Sequence, residues 1–409
     1  PMDTQTIGRV RAAMQDEVQR SRDKKTADFP PVPSLPIGRY IDPAFEVLER
    51  RHLWPKSWLL AGHMGEFSEV GSYKVWDKLG VPILLVKTGP EEIRAYYNVC
   101  RHRGGSLVPD TQGIARALIC SFHGWTFALD GALRGIPSEH DFPGFSKADH
   151  GLLPVRCERW GNLIFINQDP EARPYLEHLD PQLVREMADY DLDQRVVYHV
   201  AQYRIPTNWK YVLDAFLEDY HAAKVHAGTV ARALHFGGQT IEFFGQGTAR
   251  MVSKMADLNR AQDTNPMLKV AHATDPRHEL GREAFVSYNF FPNLAASVAE
   301  TNFAIFSFWP QGPLECLAEI YFVTKAENGV IDAERCETFL REFTPVMDED
   351  LGNLVRLAPG LNSGVLPELT LGYMERRIHQ VHAEIDRVIG IDRIAEKFRV
   401  PAAAATRPQ

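Results

Sequence analysis

Two short segments of the chain each place one cysteine close to one histidine, and this pairing constrains the fold more than any other feature. The first segment is CRHRGG at 100–105 and the second is CSFHGW at 120–125. The spacing is C-x-H, then seventeen residues, then C-x-x-H. Thiolates and imidazoles are strong metal ligands. We therefore expect two short loops, each of which contributes one ligand of each kind to a common metal centre.

The mixed composition of the loops predicts an iron–sulfur centre. Cys100 and Cys120 can bind one iron while His102 and His123 bind the other, which is the arrangement of a Rieske [2Fe–2S] cluster. Glycines beside both loops let backbone N–H groups approach the sulfides closely. The alternative is a structural zinc site, as in a zinc-stabilised binding module. Zinc ligands usually pair like with like, as C-x₂₋₄-C with H-x₃₋₅-H, so the mixed loops favour the cluster.

Composition narrows the classes of protein that fit. The 409 residues are 44% hydrophobic and 24% charged, as in a globular protein of two or three domains. A net charge of −8 argues against nucleic acid as a partner. Five widely spaced cysteines and an N-terminus without an apolar secretion segment predict a reducing, cytoplasmic location. The absence of an apolar run of roughly 18 residues argues against a membrane span.

Changes of pattern divide the chain into four predicted parts of an α+β protein. Residues 1–45 combine an amphipathic helix, with apolar side chains at helical spacing, and a Pro-rich linker. Residues 46–170 contain short β-like runs punctuated by glycine, which predicts an antiparallel β domain. Residues 171–400 alternate helical and strand-like stretches. The tail at 401–409 is expected to be disordered.

A second group of metal-ligating side chains lies in the segment NWKYVLDAFLEDYHAAKVH. Non-haem iron oxygenases bind Fe(II) through two histidines and one carboxylate, and His221 and His226 offer such a pair. Five residues along an α-helix leave them about 140° apart. We therefore predict a π-bulge or a break between Ala222 and Val225. Taken alone, the segment is more typical of the polar face of a surface helix than of a metal site.

Together these motifs resemble a known family. AGHMGEFSEVGSYKV, VPILLVKTGPEEIRAYYNVCRHRGGSLV and CSFHGWTFALDGALRGIP resemble the Rieske domain of ring-hydroxylating oxygenase α subunits, almost continuously from 55 to 170. The run from Asn208 through E-x-Y-H-x₄-H resembles the catalytic motif of the same family. The resemblance implies a catalytic domain of the helix-grip, START-like type, with a central antiparallel sheet flanked by helices.

The resemblance also implies the third iron ligand. The family pattern is E-D with Gly-Leu ten residues after the Asp, and Asp350 meets it, ahead of Asp348 and Glu349. With His221 and His226, this carboxylate would hold a mononuclear Fe(II).

Two further carboxylates have predicted roles near the iron. Glu218 matches the family residue that bridges a Rieske histidine to an iron-ligating histidine of the neighbouring subunit. Asp214, Glu218 and His221 share one helix face, so Asp214 is a candidate to support an iron ligand through a hydrogen bond.

The implied function is that of a terminal oxygenase component, which activates O₂ at the mononuclear iron with electrons from the Rieske cluster. The first prediction is cis-dihydroxylation of an apolar, aromatic substrate, and O- or N-demethylation by monooxygenation is the alternative. No nicotinamide or flavin motif is evident, so electrons would come from a separate reductase, with or without a ferredoxin. The family implies a homotrimer, with or without a β subunit. A Rieske electron carrier with a purely structural second domain is the competing hypothesis.

The substrate pocket is predicted between the histidine pair and the late aspartate. Apolar side chains are frequent in and just before this stretch, which favours an apolar substrate but equally fits an ordinary core: Phe216, Leu234, Phe236, Phe243, Phe244, Met251, Met255, Phe290, Phe306 and Phe308. Arg232, Arg250 and Lys254 are candidates to anchor a carboxylate, and they fit solvated surface positions equally well.

Overall fold

The computed structural model describes residues 2–256, 275–327 and 329–402. The chain forms two units. The β unit is Pro55–Tyr175, and the mixed unit combines Pro1–Trp54 with Leu176–Gln409. The domain limits given by the sequence remain a prediction. Of the predicted tail at 401–409, only the first two residues lie within the described part of the chain.

The mixed unit begins with the predicted amphipathic helix, which the structure confirms as α1 (Thr4–Arg22). The Asp3 side chain accepts a hydrogen bond from the backbone N–H of Thr6 and so caps its first turn. Its apolar side chains at helical spacing are buried, as predicted: Ile7, Val10, Met14 and Val18. Three short elements follow the Pro-rich linker: β1 (Leu35–Pro36), α2 (Gly38–Ile41) and α3 (Pro43–Leu48).

The β unit contains two antiparallel sheets, in agreement with the predicted antiparallel β domain. A seven-stranded sheet has the order β2-β11-β10-β5-β4-β3-β6, and a three-stranded sheet has the order β7-β8-β9. The strands are β2 (Leu59–His63), β3 (Ser72–Trp76), β4 (Ile83–Lys87), β5 (Ile93–Tyr97), β6 (Gln112–Ile114), β7 (Leu118–Ile119), β8 (Thr126–Phe127), β9 (Leu133–Gly135), β10 (Pro154–Trp160) and β11 (Leu163–Asn167).

The mixed unit has a seven-stranded antiparallel sheet at its centre, in the order β12-β18-β17-β16-β15-β14-β13. Its strands are β12 (Arg195–Ile205), β13 (Leu234–Phe243), β14 (Ala249–Met255), β15 (Ala284–Phe290), β16 (Leu294–Val298), β17 (Asn302–Gly312) and β18 (Glu315–Lys325), and β19 (Glu368–Leu369) pairs separately with β1. This sheet and its flanking helices confirm the predicted α+β class.

The remaining helices are α4 (Tyr175–His178), α5 (Pro181–Met187), α6 (Trp209–Asp214), α7 (Ala222–Val225), α8 (Ala333–Asn362) and α9 (Arg376–Ile389). The long helices α8 and α9 were expected from their helical patterns. The helical segment that carries His221 and His226 is interrupted earlier than predicted, because residues 215–221 leave the helical path between α6 and α7. None of the helices in the described ranges is both long enough and apolar enough to cross a bilayer.

Candidate metal centres

The two Cys/His loops of the β unit have the same backbone hydrogen bonds. In each loop the cysteine N–H donates to the carbonyl five residues later, from Cys100 to Gly105 at 2.8 Å and from Cys120 to Trp125 at 2.9 Å. The glycine N–H four residues after the cysteine donates back to the cysteine carbonyl at 3.0 Å in both loops. These glycines have positive φ, which a side chain would strain. The two loops thus form the same type of turn, and the cysteine thiol is buried in each.

The imidazoles of the two loops lie side by side. The ring centroids of His102 and His123 are 4.7 Å apart, and the Nδ1 atom of each is buried without a hydrogen-bond partner among the described residues. A Cβ atom on Gly105 would lie only 2.9 Å from Cys120 Sγ, so the space beside this thiol depends on glycine. Two buried thiols and two Nδ1 atoms that lack partners fit a [2Fe–2S] cluster.

Aromatic rings surround these histidines. The Trp125 ring stacks on His102, with the two ring centroids 4.8 Å apart. The Phe122 ring lies 3.8 Å from His123 and is 56% exposed, although no pattern in the sequence distinguished this residue.

The second histidine pair flanks α7, with His221 just before its first residue and His226 just after its last. The predicted π-bulge or break between Ala222 and Val225 is therefore wrong, because those residues form the helical turn itself. The backbone instead departs from the helix before His221 and again at His226, where φ is −97° and ψ is 24°. These departures bring the two ring centroids to 5.3 Å.

Helix α8 brings Asp350 to both of these imidazoles. Its Oδ1 atom lies 3.4 Å from His221 Nε2 and 3.0 Å from His226 Nε2. One ligand atom from each of the three residues lies within 4.8 Å of the others, and the described ranges hold this one such group. Two imidazoles and one carboxylate are the donor set of non-haem Fe(II) oxygenases, so the residues fit that metal.

Carboxylates also hold the far side of each imidazole. His221 Nδ1 donates to Glu218 at 2.5 Å, and His226 Nδ1 donates to Glu349 at 2.8 Å. Burial lowers the pKa of His221, but Asp350 and Glu218 outweigh it and raise that pKa to about 10. In both histidines Nε2 faces Asp350. The opposite nitrogen, Nδ1, contacts Glu218 in His221 and Glu349 in His226.

Neither of the other two predicted acidic side chains contacts these histidines. Asp348 is exposed on α8. Asp214 accepts a hydrogen bond from the Tyr40 hydroxyl at 2.7 Å and lies 3.3 Å from His382 Nε2. Within the described part of the chain Asp214 has no hydrogen bond to either iron-site histidine, so its predicted support of an iron ligand is wrong.

A cavity of about 350 Å³ opens beside this group. His221 and Asp350 line it together with four further carboxylates, two tyrosines and six aliphatic side chains: Asp214, Glu218, Glu368, Glu375, Tyr40, Tyr211, Leu354, Leu357, Leu366, Leu369, Leu371 and Ile378. Burial, together with the nearby Glu218 and Asp214, raises the pKa of Glu375. Its lining among the described residues contains no lysine or arginine.

The side chains predicted to line an apolar pocket do not line this cavity. Phe216 instead packs against Phe306 and Phe308, with centroids 5.0 Å apart in both pairs. The predicted carboxylate anchors are also placed elsewhere. Arg250 is buried in ion pairs with Glu186 and Glu242, Arg232 is exposed and Lys254 is half-buried.

Two family models match the chain, one in each half. Residues 57–146 match the Rieske [2Fe-2S] domain, and residues 187–391 match the ring hydroxylating alpha subunit (catalytic domain). The first range contains both Cys/His loops, and the second contains the iron-site residues.

Individual relatives agree with these models. The chain is 32% identical over 198 residues to the carnitine monooxygenase oxygenase subunit of Escherichia coli (strain K12), which is 48% of this chain and 52% of that protein. It is 27% identical over 278 residues to the biphenyl 2,3-dioxygenase subunit alpha of Rhodococcus jostii (strain RHA1), which is 67% of this chain and 55% of that protein. The chain thus spans about half the length of the curated relatives it matches.

A solved structure shows the same fold. The structure of a quaternary ammonium Rieske monooxygenase superposes with a TM-score of 0.72 at 20% identity, covering 90% of this chain and 96% of that one. The family models and the metal-ligating side chains of both units therefore point to the same family. The chain belongs to the Rieske oxygenases, as a ring-hydroxylating α subunit with a [2Fe–2S] domain and a mononuclear iron domain.

Proposed function

We propose that this chain is a Rieske monooxygenase that removes an N-methyl group from a small cationic amine. One observation carries the proposal. The cavity beside His221 and Asp350 is lined by four further carboxylates among leucine and isoleucine side chains, with no lysine or arginine among its described residues. The relative that acts on carnitine, a quaternary ammonium compound, supports the same choice.

The charge of the cavity explains why a cation fits. Two neutral imidazoles and one carboxylate leave a bound Fe(II) with a net charge of +1. The negative charge of the four further carboxylates in the lining is larger than this positive charge. A quaternary ammonium cannot lose its charge, so the negative field favours its entry wherever the lining carboxylates are ionised. The rings of Tyr40 and Tyr211 line the same cavity and offer faces for a cation.

The overall reaction balances for one N-methyl group. O₂, two electrons and two protons convert the methylated amine to the demethylated amine, formaldehyde and water, with one new C–O bond on the methyl carbon. Fe(II) held by His221, His226 and Asp350 would supply the activation of O₂. Glu218 and Glu349 would fix each imidazole with Nε2 toward the metal, because each accepts the Nδ1 proton.

The electrons would reach the iron through the β unit. Cys100, His102, Cys120 and His123 would hold the cluster, which a separate reductase, with or without a ferredoxin, would reduce. The related quaternary ammonium monooxygenase transfers electrons between subunits. We propose the same for this chain, in a homotrimer, with Glu218 as the link between His221 and a histidine of the neighbouring cluster.

A second candidate is cis-dihydroxylation of an aromatic compound. The biphenyl 2,3-dioxygenase relative favours it, as does the cluster of Phe216, Phe306 and Phe308 close to the iron-site turn.

Product analysis separates the two functions. The purified chain with a compatible reductase would be supplied with carnitine or glycine betaine and, separately, with biphenyl. We expect formaldehyde from the amines, whereas a cis-diol from biphenyl without formaldehyde from either amine would contradict the proposal. Glu375→Gln should raise KM for the cations several-fold. Glu337→Gln, at an exposed position on α8 outside the cavity lining, is the matched control.

A further inference from the structure

The carboxylates that line the iron cavity are concentrated in its buried part. The side chains of Asp214 and Glu218 are only 8% and 9% exposed. Burial and the charges of Glu218 and Asp214 raise the pKa of Glu375, so the three carboxyl groups lie close together. Glu218 also bonds His221, which lines the same cavity. One end of the cavity, beside the iron site, is therefore acidic.

Helix α8 adds a hydrocarbon wall that leads away from this acidic end. Asp350, Leu354 and Leu357 all line the cavity, and their spacing of i, i+4 and i+7 places them on one helix face. Leu354 is 3% exposed and Leu357 is 44% exposed, so the wall runs from the buried interior to the surface. Seven residues of helix span about 10 Å. Leu366, 50% exposed, extends the aliphatic lining at the surface.

A negatively charged group finds no partner along this wall. The part of the lining that the structure describes contains no lysine or arginine. The buried cations Lys210 and Arg39 are already paired, with Glu49 and Asp386. Glu368 lines the cavity at an exposed position, so a carboxylate at the surface end would meet a like charge. The cavity thus suits a ligand that is cationic at one end and apolar along the rest.

We propose that the substrate is a cationic N-methyl amine with an aliphatic tail and no carboxylate, and that Leu354, Leu357 and Leu366 bind the tail. This inference rests on the proposed demethylation and names its substrate class. The ammonium group occupies the acidic end beside His221, and the tail follows α8 outward. Burial of each CH₂ group favours binding, whereas burial of a carboxylate without a cation costs free energy. Betaines carry the same N-methyl group and still react, but with a higher KM.

Calorimetry with the iron-loaded, cluster-containing enzyme tests the inference without turnover. Butyltrimethylammonium and γ-butyrobetaine are a matched pair, because they differ only in a terminal methyl group against a terminal carboxylate. We expect the butyl compound to bind about 10-fold more tightly. Lengthening the tail from butyl to octyl should strengthen binding about 2–4-fold for each added CH₂ group.

Two substitutions at equally exposed positions of α8 test where the tail binds. Leu357→Ser alters the wall, and Val355→Ser, at a residue that is 45% exposed and outside the lining, is the matched control. We expect Leu357→Ser to weaken octyltrimethylammonium about 10-fold and tetramethylammonium, which has no tail, less than about 2-fold. Leu366→Ser should have an effect in the same direction. Val355→Ser should change neither affinity.

Three results would overturn the inference. The first is γ-butyrobetaine binding as tightly as the butyl compound. The exposed Arg356, which contacts the lining residue Asn353 at 3.5 Å, would then be the cation that holds the carboxylate, and Arg356→Met would weaken γ-butyrobetaine alone. The second is an affinity that does not change from butyl to octyl. The third is a changed oligomer mass in Leu357→Ser with unchanged octyl affinity, which would assign the exposed leucines to a subunit contact.

Formaldehyde release from the same amines is scored separately. Its absence together with length-dependent binding would refute demethylation and keep the tail site. Formaldehyde release together with length-independent binding would refute the tail site alone.

Discussion

The two metal sites of this chain present their histidines in opposite ways. In the β unit, the Nδ1 atoms of His102 and His123 are the ones without partners. In the mixed unit, the Nδ1 atoms of His221 and His226 are each held by a glutamate, and Nε2 faces the shared aspartate. Backbone turns orient the first pair and charged side chains orient the second. The first site should therefore be robust to changes of nearby charge, and the second should depend on them.

The largest effect is expected from a cluster ligand. Cys120→Ser should remove the Rieske cluster entirely, so that iron falls from about three to about one per chain and acid-labile sulfide from about two to zero. Metal analysis and visible absorption would measure this. Cys157→Ser, outside the loops of the same unit, should retain the cluster. An intact Rieske spectrum in Cys120→Ser would contradict the assignment.

Asp350→Asn should have the next largest effect, confined to the other site. We expect iron to fall from about three to about two per chain, with sulfide unchanged, because one of three ligands loses its charge. Turnover should fall by more than about 100-fold. Asp348→Asn, two residues earlier on the exposed side of α8, is the control and should keep all the iron.

Glu349→Gln tests the dependence on charged side chains directly. Loss of the carboxylate that accepts His226 Nδ1 should weaken Fe(II) affinity by about 10–100-fold without affecting the cluster. Titration of the metal-free enzyme with Fe(II) would measure it, beside Glu337→Gln on the same helix. Unchanged Fe(II) affinity would show that orientation at this site does not need the charge.

The smallest effect is expected from a loop glycine. Gly105→Ala would place a Cβ atom 2.9 Å from Cys120 Sγ, so the loop must shift and stability should fall by about 1–3 kcal/mol. Gly135→Ala, whose Cβ would make an ordinary 3.8 Å contact, should lose less. Thermal unfolding and the cluster midpoint potential would report both changes. Equal behaviour of the two variants would contradict backbone control of the cluster site.

The same contrast explains what the sequence could predict. The Rieske ligands lie in two local motifs, and the helix α1 follows directly from its apolar spacing. Both could therefore be predicted from the sequence. The iron site is non-local. Glu349 lies 123 residues after His226, and no local pattern tells which of three consecutive acidic residues faces the imidazoles. Only the family pattern favoured Asp350.

Other features depended on tertiary contacts. The chain around 215–221 has helical apolar spacing, yet it forms a turn in which Glu218 bonds His221 and Asp219 bonds Ser253. Such hydrogen bonds override helical propensity, which is weak over seven residues. The burial of Arg377 on α9 was likewise not predicted, because a basic residue in an amphipathic helix is ordinarily at the surface.

The repeated turn of the β unit has a consequence for how this protein family can vary. Each loop closes on its own backbone hydrogen bonds, and the connection between the loops (residues 106–119) supplies no cluster ligand. Insertions and deletions in the part of that connection outside β6 and β7 should therefore leave the ligand geometry unchanged. The cluster site behaves as a portable module, which a different scaffold could accept as two grafted hexapeptides provided that its strands end at the same separation.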